Sequence, residues 1–366
     1  MFASRLGSLN ALEQVKKSPF LQEWLDGPLP SADSIGRISN LIEPNTVRQA
    51  IHAIYAQLRR NKTIMAPWHG LLALVVDGHE SHASYRRCCE GCLQRDIRTE
   101  KGTRTQYYHR NVSAMLLGRD FEIFLDSEPQ RPSEDEVATA IRLLDRLLSA
   151  YPRAFDLVLA DALYTDPRFF SFLQSRGKDV LTVLKENQPG LLEEARTLSE
   201  LTPVTSITEG REKIECWDLN GFNPWPQINK SLRVLHARET TTIKRQLDRK
   251  LEEQVSEWFW LTTLGSHQAN SKAVVELGHN RWLIENHGFN EAVNEWEGDH
   301  VYKHQPTAIL VFTLLCIVTY NLFHAFWARN LKAALKAKVT MRHVARCILQ
   351  ELYAGLNRPL HLPQPP

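Results

Sequence analysis

The sequence predicts an α/β protein in which a mixed sheet is flanked by helices. Three observations carry this reading. Two short apolar runs, LLALVVD at residues 71–77 and FDLVLAD at 155–161, each end on an aspartate, as buried strands do when they deliver a side chain to the edge of a sheet. Between them, SEDEVATAIRLLDRLLSA switches the apolar period to that of a helix. After the second run, DPRFFSFLQSRG and DVLTVLK repeat helix and strand, an order that implies parallel neighbours joined by crossover helices.

Residues 1–65 read as an N-terminal helical region, because Val47, Ile51, Ile54, Tyr55 and Leu58 recur at helical spacing while Pro28, Pro30 and Pro44 punctuate it. After the strand at 71–77, TQYYHRNVSAMLL and FEIFLDSE are aromatic and β-branched, and the three together suggest a meander. In the helix over 133–150, Ser133 is placed to cap with Glu136 three residues later, and Val137, Ile141, Leu144 and Leu148 form one apolar stripe. Gly177 marks the end of the next helix. Over residues 195–265 the texture changes to short strand-like pieces separated by Gly, Asn and Pro, which reads as a β-rich insertion. A helical period returns in SKAVVELGHNRWLIENHGFNEAVNEW and puts Glu285 on a helix. The uncharged TAILVFTLLCIVTYNLFHAFWA is about as long as the roughly 20 residues that cross a bilayer. Thr307, Thr313, Thr319, Asn321 and His324 interrupt its apolarity, so a core helix is expected and no membrane partner. Residues 329–366 read as a basic tail with a Pro-rich end.

A hydrophobic fraction of 43% with 9 Trp and 14 Phe is enough for a packed core and excludes a disordered or fibrous chain. With 44 basic against 42 acidic side chains the net charge is only +2, so a nucleic-acid partner has to be argued from where the charges lie. Six cysteines, three of them at Cys88, Cys89 and Cys92, do not form the framework of a secreted domain, and no signal-peptide pattern opens the sequence. A cytoplasmic location is expected. Cys88, Cys89 and Cys92 with His82 or His109 could supply half of a zinc site, but a second cysteine pair is missing and Cys216, Cys316 and Cys347 are isolated. Small buried thiols are therefore expected, and no zinc. His79, His287, His300 and His304 are expected near the acids named below, as hydrogen-bonding or nucleic-acid-contacting groups, because a hard divalent cation prefers oxygen.

The chemistry rests on three acids: Asp77 and Asp161 at strand ends and Glu285 on a helix far along the chain. Ligands bind at strand ends in α/β sheets, and converging carboxylates there can hold divalent cations. Two such cations would activate a water or hydroxyl and stabilise the leaving oxygen in an in-line attack on a phosphodiester. Either aspartate alone reads more readily as a turn or cap residue, so the three must be taken with their flanks.

Those flanks resemble a known family. VVDGHE at 75–80, VLADALYTDPRFF at 158–170 and RWLIENHGFNE at 281–291 are similar to the three catalytic segments of bacterial insertion-sequence transposases of the DDE superfamily, over roughly residues 20–327. Arg281, four residues before Glu285, with IEN and an aromatic following, resembles the family's Tyr, Arg, Glu, Lys signature, and Asp161, Ala162 and Tyr164 match its aspartate, small residue, aromatic spacing. The resemblance implies a ribonuclease-H-like catalytic domain in two parts, 66–194 and 266–328, split by the β-rich insertion at 195–265 as in cut-and-paste members. It further implies Asp77, Asp161 and Glu285 as ligands of two Mg²⁺ ions, with Mn²⁺ able to substitute, and Arg281 as a phosphate clamp. The activity implied is strand cleavage at transposon ends and transfer of the freed 3′ hydroxyl to target DNA, by a homodimer in the synaptic complex.

Two positions depart from the signature. Gly278 stands where its Tyr would, and Ala292 and Val293 stand where its Lys would. In related enzymes those side chains hold the DNA end and its flipped base, so strand cleavage is expected while a hairpin intermediate is left open. Arg281 also lies at the i,i+4 spacing of a surface ion pair with Glu285. Basic strips at 86–110, at 230–250 and at 329–346 could track a phosphate backbone, with Lys244, Arg245, Arg249 and Lys250 the contacts favoured here; each strip reads equally as a solvated face. Two other functions remain at this point: a catalytically decayed DNA-binding repressor derived from a transposase, and a metal-dependent nuclease that cleaves without joining.

Overall fold

The computed structural model describes residues 2–356 apart from 4, 68–69, 101, 120, 210–211 and 245–250. Short helices α1 (Leu9–Val15), α2 (Pro19–Trp24) and α3 (Ala32–Ile38) lead into α4 (Pro44–Arg60). Strands β1 (Ala73–Ser84), β2 (Leu93–Thr99), β3 (Gly102–Leu117) and β4 (Glu122–Pro129) follow, then α5 (Glu136–Ala150), β5 (Leu157–Ala160), α6 (Pro167–Ser175), β6 (Asp179–Val183) and α7 (Pro189–Leu201). Strands β7 (Thr205–Glu209), β8 (Glu212–Phe222), β9 (Leu232–Lys244) and β10 (Leu251–Thr262) precede α8 (Ser271–Asn280), a π-helical turn (Ile284–Phe289) and α9 (Asn290–Trp296). The long α10 (Pro306–Asn330), α11 (Ala333–Lys336) and α12 (Met341–Leu356) complete the described chain.

One mixed sheet of ten strands organises these elements, in the order β2-β3-β1-β5-β6-β10-β9-β8-β7, with β4 also paired to β3. β1, β5 and β6 are parallel, and antiparallel pairing of β10 to β6 joins the strand-rich stretch to the same sheet. The apolar run in β1 is continuous because the strand is covered on both faces: Leu74 and Val76 enter one core with Leu143, Leu144 and Leu147 of α5, while Ala73 and Val75 enter the other with Val274 of α8 and Val311 of α10.

α10 is long and apolar enough to cross a membrane by length and composition alone, and it packs against α4 and β4. Its buried Asn321 shows how a polar group is accommodated: the side-chain carbonyl accepts from Phe124 N–H at 2.9 Å and the amide donates to Phe124 C=O at 2.7 Å.

Four local expectations are corrected. The stretch before β3 contains β2, a strand the sequence did not suggest, which pairs with β3 on the side away from β1. Ser133 does not cap α5: its φ is +69° and its hydroxyl donates to the Pro132 carbonyl, whereas Asp135 accepts from Ala138 N–H at 2.7 Å. Residues 195–201 are still helical, as the end of α7, so the strand-rich stretch begins at Thr205. The basic segment expected as a tail forms α12, which buries Ala345 and packs Met341, Val344 and Ile348 against the second core.

Candidate active site

β1 and β5 are adjacent and parallel, with Ala73, Leu74 and Val75 opposite Leu157, Val158 and Leu159. Continued by two residues, this register places Asp77 beside Asp161 at the carboxyl ends of the two strands. Asp77 is buried, and one of its oxygens accepts from Gly78 N–H at 2.9 Å. Asp161 caps the 3₁₀ turn Ala162–Tyr164 by accepting from Leu163 N–H at 2.8 Å through Oδ1. The cap reading of this aspartate therefore holds for one oxygen.

The third acid arrives from the other side of the sequence. The π-helical turn carries Glu285, and Gly288 lets that turn press onto the sheet: a Cβ there would meet Phe124 Cζ at 2.8 Å and Met115 Sδ at 2.9 Å. Such turns are frequent at functional sites. Arg281, one turn earlier, lies between the two halves. Its Nη1 is 2.9 Å from Glu285 Oε1 and 3.9 Å from Asp77 Oδ2, so the i,i+4 ion pair is present, and the guanidinium reaches the buried aspartate as well.

Asp77 feels the charges of the other three residues. Burial, first, and then the negative fields of Asp161 and Glu285 push the Asp77 carboxyl up to about 7, against the opposing pull of Arg281 and the Gly78 N–H. Such a group prefers either a proton or a cation. Unfolded, Asp77 ionises near 3.8, so between about pH 4 and 7 the folded protein holds a proton that the unfolded chain has lost, and stability falls as pH rises through that window. Asp77→Asn should abolish this fall and stabilise the protein at pH 8 by at most roughly 4 kcal/mol, the value of about three pKa units. Unfolding midpoints at pH 5 and pH 8 without divalent ions check this; equal slopes for wild type and variant would remove Asp77 as the strained group.

A fourth carboxylate went unnoticed in the sequence as anything but a helix-start residue. Glu136, in the first turn of α5, is mostly buried; it accepts from Tyr164 Oη at 2.9 Å and from Arg110 Nη1 at 3.1 Å. Burial, first, with Asp161 adding to it, raises its carboxyl above the usual range against the opposing Tyr164 and Arg110. Gly78 makes the approach possible, since a Cβ there would lie 2.4 Å from Glu136 Oε1.

An oxygen-rich donor set of this kind is what magnesium or manganese takes. Arg281, the cation now between Asp77 and Glu285, has a buried Nε without a hydrogen-bond partner among the described residues. The carboxylates thus fit a divalent ion.

The sequence matches the family described as "Transposase DDE domain" over residues 68–322. The chain belongs to this family of transposases. No curated protein matches it significantly. The mixed sheet flanked by helices is accordingly a ribonuclease-H-like α/β fold.

In this transposase Gly278, the position where the family signature has Tyr, has a packing reason. A Cβ at 278 would lie 2.3 Å from Trp260 Nε1, because the Trp260 ring lies directly over α8. Trp282, 43% exposed, sits beside the site with the Arg281 guanidinium 5.4 Å from its ring centroid. Of the histidines expected near the carboxylates, His79 stacks on Phe289 and His287 lies 3.4 Å from Glu122. His300 packs instead on Tyr302, and His304 stands with Cys89, Cys92 and His109. Of the cysteines, Cys92, Cys216 and Cys316 are buried, while Cys88 and Cys347 are exposed. Arg245, Arg249 and Lys250 lie outside the described residues, as does the side chain of Lys244. Within the other strips, Arg95 is paired with Glu80 at 2.7 Å and Arg342 with Glu295 at 2.9 Å, whereas Arg86, Arg87 and Arg98 are exposed.

Proposed function

We propose that the transposase cleaves DNA at transposon ends and transfers the freed strand to target DNA at the site built by Asp77, Asp161 and Glu285. The observation that carries this reading is the adjacency of Asp77 and Asp161 on parallel strands, with Arg281 linking Asp77 to Glu285. These three carboxylates would hold two Mg²⁺ ions, or Mn²⁺ in their place; bound there, the ions would activate the attacking oxygen and stabilise the leaving one. A cation held there would compete with the proton on Asp77, so cation affinity should weaken as pH falls below about 7. Arg281, released from Glu285, is positioned to clamp a phosphate with both of its Nη groups. Glu136 and Arg110 hold Tyr164 against the Asp161 turn and keep its backbone in place.

Duplex DNA is the substrate class the family implies. Lys244, Arg245, Arg249 and Lys250, with the exposed Arg86, Arg87 and Arg98, are proposed to track its phosphates. In the same reading residues 195–265 are an insertion in the catalytic domain, the active assembly is a homodimer, and the enzyme works in the cytoplasm. The test is a transposon-end duplex incubated with Mg²⁺ and a target plasmid. Cleaved ends joined to the target are expected. Cleavage without joining would make the protein a nuclease, and binding without cleavage would make it a repressor derived from a transposase.

A further inference from the structure

Away from the acidic site, four side chains from three distant parts of the chain meet. Cys89 and Cys92 lie in the turn between β1 and β2, His109 is on β3, and His304 stands two residues before α10. Their ligating atoms all lie within 4.8 Å of one another. Cys89 Sγ is 3.7 Å from Cys92 Sγ and 3.2 Å from His109 Nε2; Cys92 Sγ is 3.3 Å from His109 Nε2 and 3.5 Å from His304 Nε2. With Zn–S near 2.3 Å and Zn–N near 2.0 Å, a tetrahedron has S···S edges of about 3.8 Å and S···N edges of about 3.5 Å. The observed separations are those edges to within a few tenths of an ångström.

From this geometry we propose that Cys89, Cys92, His109 and His304 form a structural zinc site. The Cys-x₂-Cys turn has the form such a site needs. Cys89 N–H points at Cys92 Sγ at 3.2 Å, as a backbone donor does toward a thiolate, and Cys92 N–H closes the turn onto Cys89 C=O at 3.1 Å. Gly91 leaves room for the His109 ring and for Pro306, two residues after His304: a Cβ there would lie 3.1 Å from Pro306 and 3.4 Å from the His109 ring. The four ligating atoms converge closely enough that one cation would satisfy all of them. The set is closed, with four protein ligands and no position left for substrate, so its role is to hold structure.

The tie explains a feature of the fold. β1 carries Asp77 and pairs with β3 through the His82 and His109 positions, while His304 follows the helix that bears Glu285. Zinc here clamps the β1–β3 ladder to the segment leading into α10, joining the two parts of the sheet domain that the strand-rich stretch separates. The proposal stands independently of the catalytic reading, because none of its ligands belongs to the acidic site.

The test is the metal content of the full-length protein purified without chelator, measured by elemental mass spectrometry for wild type, Cys88→Ser, Asp161→Asn, Cys92→Ser and His304→Ala. About one zinc per chain is expected in the first three. Cys88 is exposed and outside the cluster, and Asp161→Asn controls for zinc held by the carboxylates. Zinc should be lost from the last two, with a lower unfolding midpoint. Should those variants fail to fold, wild type is stripped and refilled with Co²⁺, and the absorption of a four-coordinate cobalt site with thiolate ligands is expected. Wild type that holds no zinc above trace and gives no such spectrum overturns the proposal, as does zinc that disappears in Asp161→Asn while persisting in Cys92→Ser.

Discussion

Asp161→Asn is expected to lower strand cleavage by at least about 100-fold while leaving DNA affinity and the unfolding midpoint nearly unchanged. The magnitude follows from metal sites in general, where changing a partner of a ligand already costs 10–100-fold, so losing the charge of a ligand itself should cost no less. The selectivity follows from the local geometry. Asp161 uses Oδ1 to accept from Leu163 N–H, and Asn keeps that oxygen and caps as well as Asp does, so the turn that leads into α6 survives. In the proposed reaction the other oxygen is the one that would face the cation. The same change removes a negative neighbour of Asp77 and should bring its carboxyl down from about 7. A variant that cleaved a transposon-end duplex at the wild-type rate would take Asp161 out of the site.

The second large effect is on stability. Arg48 of α4 is buried, donating through Nε to Asp126 at 2.8 Å and through Nη2 to Ser127 C=O and Glu128, each at 3.1 Å. Asp126 also receives Arg146 Nε at 2.7 Å, and Glu128 is contacted by Arg142 and Arg146 of α5. Arg48→Met leaves two buried carboxylates short of one cation and removes the polar tie between α4 and β4. A loss of about 3 kcal/mol is expected, the low end for breaking a buried pair, because two arginines remain. Urea unfolding of the two proteins measures it. A change below about 1 kcal/mol would mean that Arg142 and Arg146 neutralise the pair unaided and that α4 is held by its apolar face alone.

Much of the core was readable because of how it is buried. β1 and β5 are covered on both faces, which writes an uninterrupted apolar run into the sequence and leaves the closing aspartates conspicuous. α5 was readable from its stripe, although its cap was not: Ser133 and Asp135 both match an N-terminal pattern, and only the positive φ of Ser133 decides between them. β2, LQRDIRT, hid because it is a mostly exposed strand whose arginines look like a basic strip. α12 hid in a similar way, behind Arg342 and Arg346, while its apolar positions at 341, 344, 345 and 348 carry the helical period. Of the acidic constellation, the sequence offered Asp77, Asp161, Glu285 and Arg281 through their flanking motifs. Glu136 stayed hidden, since an acid in the first turn of a helix already has a reason to be there. The cysteine cluster was half visible. His304 is 212 residues from Cys92, and no spacing rule connects them.

The central claim is that Asp77, Asp161 and Glu285 share divalent cations. Its most direct measurement is the anomalous scattering of Mn²⁺ in crystals of the wild-type protein bound to a transposon-end duplex. The account predicts manganese between Asp77 and Asp161 with Glu285 turned toward it and Arg281 moved off Glu285 onto a phosphate. Manganese absent from these carboxylates in a crystal that contains both the ion and DNA, with Arg281 still paired to Glu285, would contradict it.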